Sequence, residues 1–170
     1  GKEDDQKWII VDMGVTFADD SIPGIDLIFP DPGFILDKKD DLLGIVLTHA
    51  HEDHIGAVAH IWPSLKCKMY ATPFTAALIY EKFKEKKIDI SSYLKIVPLN
   101  SKIKLGAFEI DFVTLTHSIL EPNGLSITTP LGTVLHTGDW KIDPNPLIGG
   151  TIDEEKLKAI GEKGVSAMIC

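Results

Sequence analysis

The chain has 170 residues, 44% of them apolar and 25% charged, with a formal net charge of −8. That length suits one domain with a sizeable core, whereas the acidic balance excludes a broad basic surface for gripping a phosphate backbone, and no run approaches the ~18 to 20 apolar residues that span a bilayer. Gly1 to Asp5 lack the pattern of a secretory signal, and Cys67 and Cys170 have no metal or redox spacing and give no disulfide framework, which points to a reducing cytoplasm and to no membrane.

Lys7-Trp8-Ile9-Ile10-Val11 is a short apolar run rich in β-branched residues and reads as a strand closing on Asp12-Met13-Gly14. A carboxylate next to a permissive Gly at a strand end either aims inward or caps its own turn, and spacing alone leaves both open. From Val15 to Asp40, Pro23-Gly24 and Pro30-Asp31-Pro32-Gly33 mark a turn-rich connection whose apolar segment, Ile25 to Phe29, needs something to pack on.

Leu43-Gly44-Ile45-Val46-Leu47 reads as a buried strand, and Ile55 to Trp62 as a helix start. Between them lies Thr48-His49-Ala50-His51-Glu52-Asp53-His54, with three of the chain's six histidines. A strand-to-helix junction holds side chains by rigid elements on both sides while they face open space. Imidazoles and carboxylates this close make poor filler, because each buried polar ring needs a partner; metal coordination satisfies them all, and neutral imidazole with carboxylate suits Zn²⁺ or Mn²⁺. The zincin pattern His-Glu-x-x-His does not fit, since Asp53-His54 follows Glu52 directly, and the Pro-Cys-x-x-Cys of zinc deaminases is missing.

The helix begun at about His54 is expected to stop near Pro63, with His60 off the face of His54 and outside the cluster. Cys67 to Ala71 reads as a strand, and Pro73 suits the first position of a helix running to Lys86. Its end carries Lys82, Lys84, Lys86 and Lys87, more simply a solvated face matched to the helix dipole than an RNA contact. Tyr93 to Leu99, Ser101 to Leu105 and Phe108 to Thr114 are strand-like, with a hairpin turn at Gly106-Ala107. His117 follows the last of these as His49 follows its own strand, and the upstream cluster still needs a nitrogen ligand. Leu125 to Thr129 and Gly132 to Leu135 form a second hairpin ending at His136-Thr137-Gly138-Asp139-Trp140, in which His136 reads as structural or as a support behind the ligands. An acidic-start helix, Asp153 to Gly161, precedes a last apolar run.

The run His49-x-His51-x-Asp53-His54 resembles the signature of the metallo-β-lactamase superfamily, and Leu47 to Ala57 resembles its ribonuclease J branch. Asp12-x-Gly14, His117-Ser118-Ile119, Thr129-Pro130-Leu131-Gly132-Thr133 and Thr137-Gly138-Asp139-Trp140-Lys141 follow in the order that resemblance requires, although Leu120 and Trp140 stand where many members have Pro and Phe. The resemblance implies an α/β fold of the α+β kind: part of an αββα sandwich, a mixed β-sheet with flanking helices. It implies that His49, His51 and His117 hold one divalent ion and that Asp53, His54 and Asp139 hold a second. Asp139 would bridge the two and Asp12 would brace the histidine loop without being a ligand. Zn²⁺ is the first choice, with Mn²⁺ or Mg²⁺ also suited. Asp53, His54 and Asp139 are then the catalytic residues, and the activity is hydrolysis of RNA phosphodiester bonds by a metal-activated water, 5′-to-3′ exonucleolytic with endonucleolytic cleavage also open. Two such ions outweigh the carboxylates of Asp53 and Asp139, so the pocket can attract an anion that the acidic surface does not.

On the same resemblance, residues 1–170 are the N-terminal portion of a metallo-β-lactamase domain. The β-CASP and C-terminal domains lie outside this chain, little of the second sheet is supplied, and the full-length protein is a homo-oligomer acting on RNA. The start without Met and the apolar run up to Cys170 also read as part of a longer protein. Two other readings keep the ligand set: a small-molecule hydrolase of the same fold acting on a thioester or lactone, and a metal-binding fragment without turnover.

Overall fold

The computed structural model describes residues 6–170. Gly1 to Asp5, considered above for a signal sequence, lie outside the described residues. In chain order the elements are β1 (Trp8–Val11), β2 (Thr16–Phe17), β3 (Leu27–Ile28), α1 (Gly33–Leu36), β4 (Leu42–Val46), α2 (Glu52–Ile55), α3 (Val58–Leu65), β5 (Met69–Ala71), α4 (Pro73–Glu85), β6 (Leu94–Ile96), β7 (Lys102–Leu105), β8 (Phe108–Thr114), β9 (Asn123–Thr129), β10 (Gly132–His136), α5 (Glu154–Lys163) and β11 (Ala167–Ile169).

Two sheets carry the fold. The first has the order β1-β4-β5-β6 with every neighbouring pair parallel. The second has the order β11-β10-β9-β8-β7, antiparallel except for β10 with β11. The expectation of a largely missing second sheet is therefore corrected. Its strands β7 to β10 are neighbours in sequence, β7–β8 and β9–β10 joined by two-residue turns and β8–β9 by the loop 115–122, so each completes the last locally. β4 is buried on both faces, and its alternation explains the layers. Ile45 and Leu47 pack with α3 and α4 residues such as Trp62, Ile79 and Phe83. Val46 faces the other way, toward Leu105, Ile110, Phe112 and Leu125 of the second sheet. α5 crosses the outer face of that sheet, where Lys156 Nζ pairs with Asp111 Oδ1 at 2.6 Å and donates to the Phe112 carbonyl at 2.7 Å. The layers are helix, sheet, sheet, helix.

Two other expectations change. The segment after the histidine cluster is two short helices, because the Ala57 N–H leaves the ladder to reach the Met13 carbonyl at 3.0 Å. The second of these passes Pro63 and ends at Lys66 in the left-handed region, φ 49°. Pro63 sits in the last turns, so it forfeits a single intrahelical bond there instead of terminating the helix. Ile25, Leu27, Ile28 and Phe29, expected to be packed, line or follow the small β2–β3 hairpin and stay between 37% and 48% exposed.

Candidate metal centre

Every piece of the site lies just past the C-terminal end of a strand. Val11 of β1 pairs with Val46 of β4 in parallel register, so Asp12 and the loop after β4 emerge side by side, and the Asp12 N–H donates to the Val46 carbonyl at 3.0 Å. In the second sheet β8 and β10 both run antiparallel to β9, so their C-terminal ends share one edge; His117 follows β8 and Asp139 follows β10. The two edges face each other across the sandwich.

The rings converge there. His49 Nε2 lies 3.1 Å from His51 Nδ1, and His117 Nε2 lies 3.1 Å from the same atom. Three ring nitrogens meeting in this way cannot all be satisfied by one another, since one nitrogen offers either one proton or one lone pair. The spacing instead approximates the edge of a tetrahedron with Zn–N bonds of about 2.0–2.1 Å, whose N···N separation is about 3.3 Å. Across from this trio, His54 Nε2 stands 3.3 Å from Asp139 Oδ1 and 3.8 Å from Asp53 Oδ2. Asp139 turns its other oxygen, Oδ2, toward His117 Nε2 at 3.7 Å, so its carboxylate stands between the two donor sets. Donor atoms within 4.8 Å of one another form two trios, His49–His51–His117 and His49–His54–Asp139. Asp53 belongs to neither and sits exposed at the rim.

Asp12 organises the lone pairs. Its Oδ1 accepts the Thr48 backbone N–H at 2.7 Å; its Oδ2 accepts the Thr48 hydroxyl at 2.7 Å and His54 Nδ1–H at 2.7 Å. A carboxylate only accepts, so His54 carries its proton on Nδ1 and turns a lone pair on Nε2 toward Asp139. Thr48, having donated its hydroxyl proton to Asp12, accepts from His49 Nδ1 at 3.0 Å, which leaves His49 Nε2 unprotonated toward His51. One carboxylate thus sets two tautomers. Asp12 does this from the left-handed region, φ 59°, which Asp tolerates better than most residues.

The electrostatics follow. Burial, reinforced by the neighbouring His54, His51 and His117, pushes His49 down to about 3, so its ring is neutral near pH 7. His117 is also lowered, first by burial and then by His51. For His54 burial is the largest influence and pulls downward, but the Asp12 hydrogen bond and charge, with Asp139 and Asp53 beside it, raise it overall. Carboxylates that favour a proton on His54 also favour a cation beside it. The donor chemistry and spacing fit divalent metal.

His60 is exposed and stacks on Phe29, ring centroids 4.7 Å apart, and His136 accepts the Gly138 N–H on Nδ1 at 3.1 Å, so both are structural as expected. Lys82 pairs with Glu52 and Lys84 with Glu81, which suits a solvated face. Sequence reasoning missed Thr48 as the link between Asp12 and His49, Glu121, whose carboxylate accepts the Phe74 N–H at 2.8 Å at the start of α4, and Asn123, which joins two loops. None carries a local signal, because each has a partner 36 to 75 positions away in the chain.

A family model described as the beta-lactamase superfamily domain matches residues 7–157. Ribonuclease J of Sinorhizobium meliloti is 44% identical over 170 residues, covering 100% of this chain and 30% of that protein. Ribonuclease J of Helicobacter pylori is 40% identical over 162 residues, covering 95% of this chain and 24% of that protein. The chain thus spans less than a third of the length of these curated relatives. Among solved structures, the metallo-beta-lactamase fold protein YhfI from Bacillus subtilis superposes with a TM-score of 0.52 at 18% identity, over 80% of this chain and 52% of that one, a likeness of fold. Family match, fold and strand-end donor cluster agree: this chain belongs to the metallo-beta-lactamase superfamily.

Proposed function

We propose that the intact protein carrying this chain is a metal-dependent ribonuclease that hydrolyses RNA phosphodiester bonds. The observation that carries the reading is the meeting of three imidazole nitrogens at 3.1 Å spacings opposite a carboxylate that faces both donor sets. The similarity to ribonuclease J over nearly the whole chain supplies RNA as the substrate class.

In this reading His49, His51 and His117 would hold one divalent cation, and His54, Asp53 and Asp139 the other, with the Asp139 carboxylate lying between the two donor sets. Zn²⁺ fits the donor types first; Mn²⁺ and Mg²⁺ are the other candidates. Two divalent cations bound at such a centre would supply Lewis acidity, lowering the pKa of water to about 7 and offsetting charge on phosphate oxygens. The chain's own residues prepare the site: Asp12 and Thr48 aim the lone pairs of His54 and His49, burial keeps His49 neutral, and exposed Asp53 and Asp139 remain open to solvent and substrate. No nucleophilic side chain is required. Among the described residues no helix is long and apolar enough to cross a membrane; a cytoplasmic place and a homo-oligomeric state belong to the same proposal and rest on family resemblance.

The test is cleavage of a labelled 5′-monophosphate RNA by the intact protein, beside a thioester hydrolysis assay, for wild type and His51→Ala. Metal-dependent RNA cleavage lost in His51→Ala is expected. Undiminished RNA cleavage in that variant refutes the reading, and thioester hydrolysis without RNA cleavage replaces it with the small-molecule hydrolase.

A further inference from the structure

The loops that bear the candidate ligands touch at one buried side chain outside the donor set. Asn123 opens β9, is 1% exposed, and stands opposite Thr114 in the last pair of the β8–β9 ladder, so the whole His117 loop emerges between them. Its two amide N–H groups are both used: one donates to the Thr48 carbonyl at 3.1 Å, the other to the Glu121 carbonyl at 2.7 Å. Both neighbours are acceptors, which fixes the orientation of the amide. The Asn123 backbone N–H also donates to the Thr48 carbonyl, at 3.2 Å. On its other side the Asn123 carbonyl limits Gly138, where an added Cβ would come within 2.9 Å. Asn123 therefore contacts the residue before His49, the far limb of the His117 loop and the residue before Asp139.

We infer that Asn123 is a positioning residue that sets the separation of the His49 and His117 loops and so tunes metal affinity at the His49–His51–His117 trio. Two carbonyls cannot bond each other, and the Asn123 amide links Thr48 to Glu121 through two donors, a bridge that the Asn123 backbone N–H to Thr48 does not make by itself; an Asn amide is the smallest side chain that supplies it. A space-filling role would be served by an aliphatic residue; here the Asn123 amide oxygen is buried with no protein partner among the described residues, a cost that the two donated bonds must offset. The inference rests on the metal reading of the site.

The test is Zn²⁺ titration of the intact protein against a chromophoric chelator, with Co²⁺ absorption as a second readout and thermal melting of the metal-free form as a third. Asn123→Ala is compared with wild type and with Lys156→Met, which removes the cation paired with Asp111 under α5 and lowers stability without touching the ligand loops. Asn123→Ala is expected to bind about 10- to 100-fold more weakly and to shift the Co²⁺ spectrum, whereas Lys156→Met loses melting temperature and keeps its affinity. Should Asn123→Ala not fold, Asn123→Asp keeps the shape and replaces the amide nitrogen, and with it both donated bonds, by an acceptor oxygen, and the same loss is expected. Wild-type affinity within about threefold in the folded Asn123 variant overturns the inference alone; a wild type that binds no Zn²⁺ overturns it together with the metal reading.

Discussion

Gly14 offers the sharpest test of how the histidine loop is held. A Cβ at this position would lie 1.6 Å from the Asp53 carbonyl oxygen, 2.0 Å from its carbon and 2.7 Å from the His54 nitrogen, all backbone atoms that no rotamer change can move aside. Even a contact of 3.0 Å requires the loop and α2 to separate by about 1.4 Å. Three bonds hold them together: Met13 N to His54 O at 2.7 Å, Val15 N to Glu52 O at 3.1 Å, and Ala57 N to Met13 O at 3.0 Å. Losing two or three of these at about 0.5–1.5 kcal/mol each costs about 1–4.5 kcal/mol. In a domain of this size each kcal/mol is about 2–4 °C, so Gly14→Ala should melt roughly 2–18 °C below wild type in the metal-free form. The movement also exceeds the ~0.5 Å tolerance of a coordination site, so metal bound near His54 should be lost. Thermal denaturation with and without Zn²⁺, paired with elemental analysis, makes the measurement. A Gly14→Ala protein that melts within about 1 °C of wild type and keeps its full metal content would refute the reasoning.

Asp12→Asn keeps a residue tolerant of left-handed backbone but turns an amide donor toward His54 Nδ1–H or the Thr48 hydroxyl; Zn²⁺ affinity should fall about 10- to 100-fold in a titration, with the fold retained by circular dichroism. Zn²⁺ held at 100 times its dissociation constant should raise stability by about 2.7 kcal/mol, seen as a higher melting temperature that excess chelator reverses. Burial pushes the Cys67 thiol from an ordinary 9.0 up to about 11, so it should resist alkylation near pH 8 until denaturant is added. Because the unfolded thiol ionises first, the stability gained from that burial is present below pH 9.0 and lost as pH rises toward about 11; wild type should lose more melting temperature over that window than Cys67→Ala.

The sequence disclosed local matters well. The apolar run at Leu43 to Leu47 marked the central strand because a strand buried on both faces needs no alternation, and Pro73 marked the start of α4 because its missing N–H costs nothing there. His49, His51, His54 and His117 were legible as candidates from type and place. What stayed hidden depended on contacts between distant residues. Nothing near Gly14 announces that the backbone of α2 passes against it, and nothing near Thr48 shows a carboxylate 36 positions earlier in the chain accepting both its backbone N–H and its hydroxyl. Pro63 misled for the opposite reason, since its usual effect was weighed without knowing that the helix had already restarted at Val58.

The convergence itself has a topological cause that bears on how much of the centre this chain can form. β1 and β4 are parallel neighbours in one sheet, and β8 and β10 are parallel to each other through β9 in the other. Register brings two strand ends together in each sheet, and the packing of the sheets sets the pairs face to face, so Asp12, His49, His117 and Asp139, one to three residues past those ends, come into contact. Donors this near a strand end have little conformational freedom to lose, so most of their ordering is supplied by folding the two sheets, before any cation binds. The His49–His51–His117 trio, carried just past the ends of β4 and β8 with His49 fully buried and His51 and His117 half-buried, is the more preorganised of the two. The set around His54 faces outward through exposed Asp53 and half-exposed Asp139 and is aimed by Asp12 directly, whereas Asp12 reaches His49 only through the Thr48 hydroxyl. Occupancy should accordingly be sequential: in a Zn²⁺ titration the first equivalent binds more tightly than the second, and His117→Ala abolishes the tighter step while Asp12→Asn chiefly weakens the other. Two equal steps in wild type, or loss of the tighter one in Asp12→Asn alone, would contradict a centre whose order is set by the strand ends.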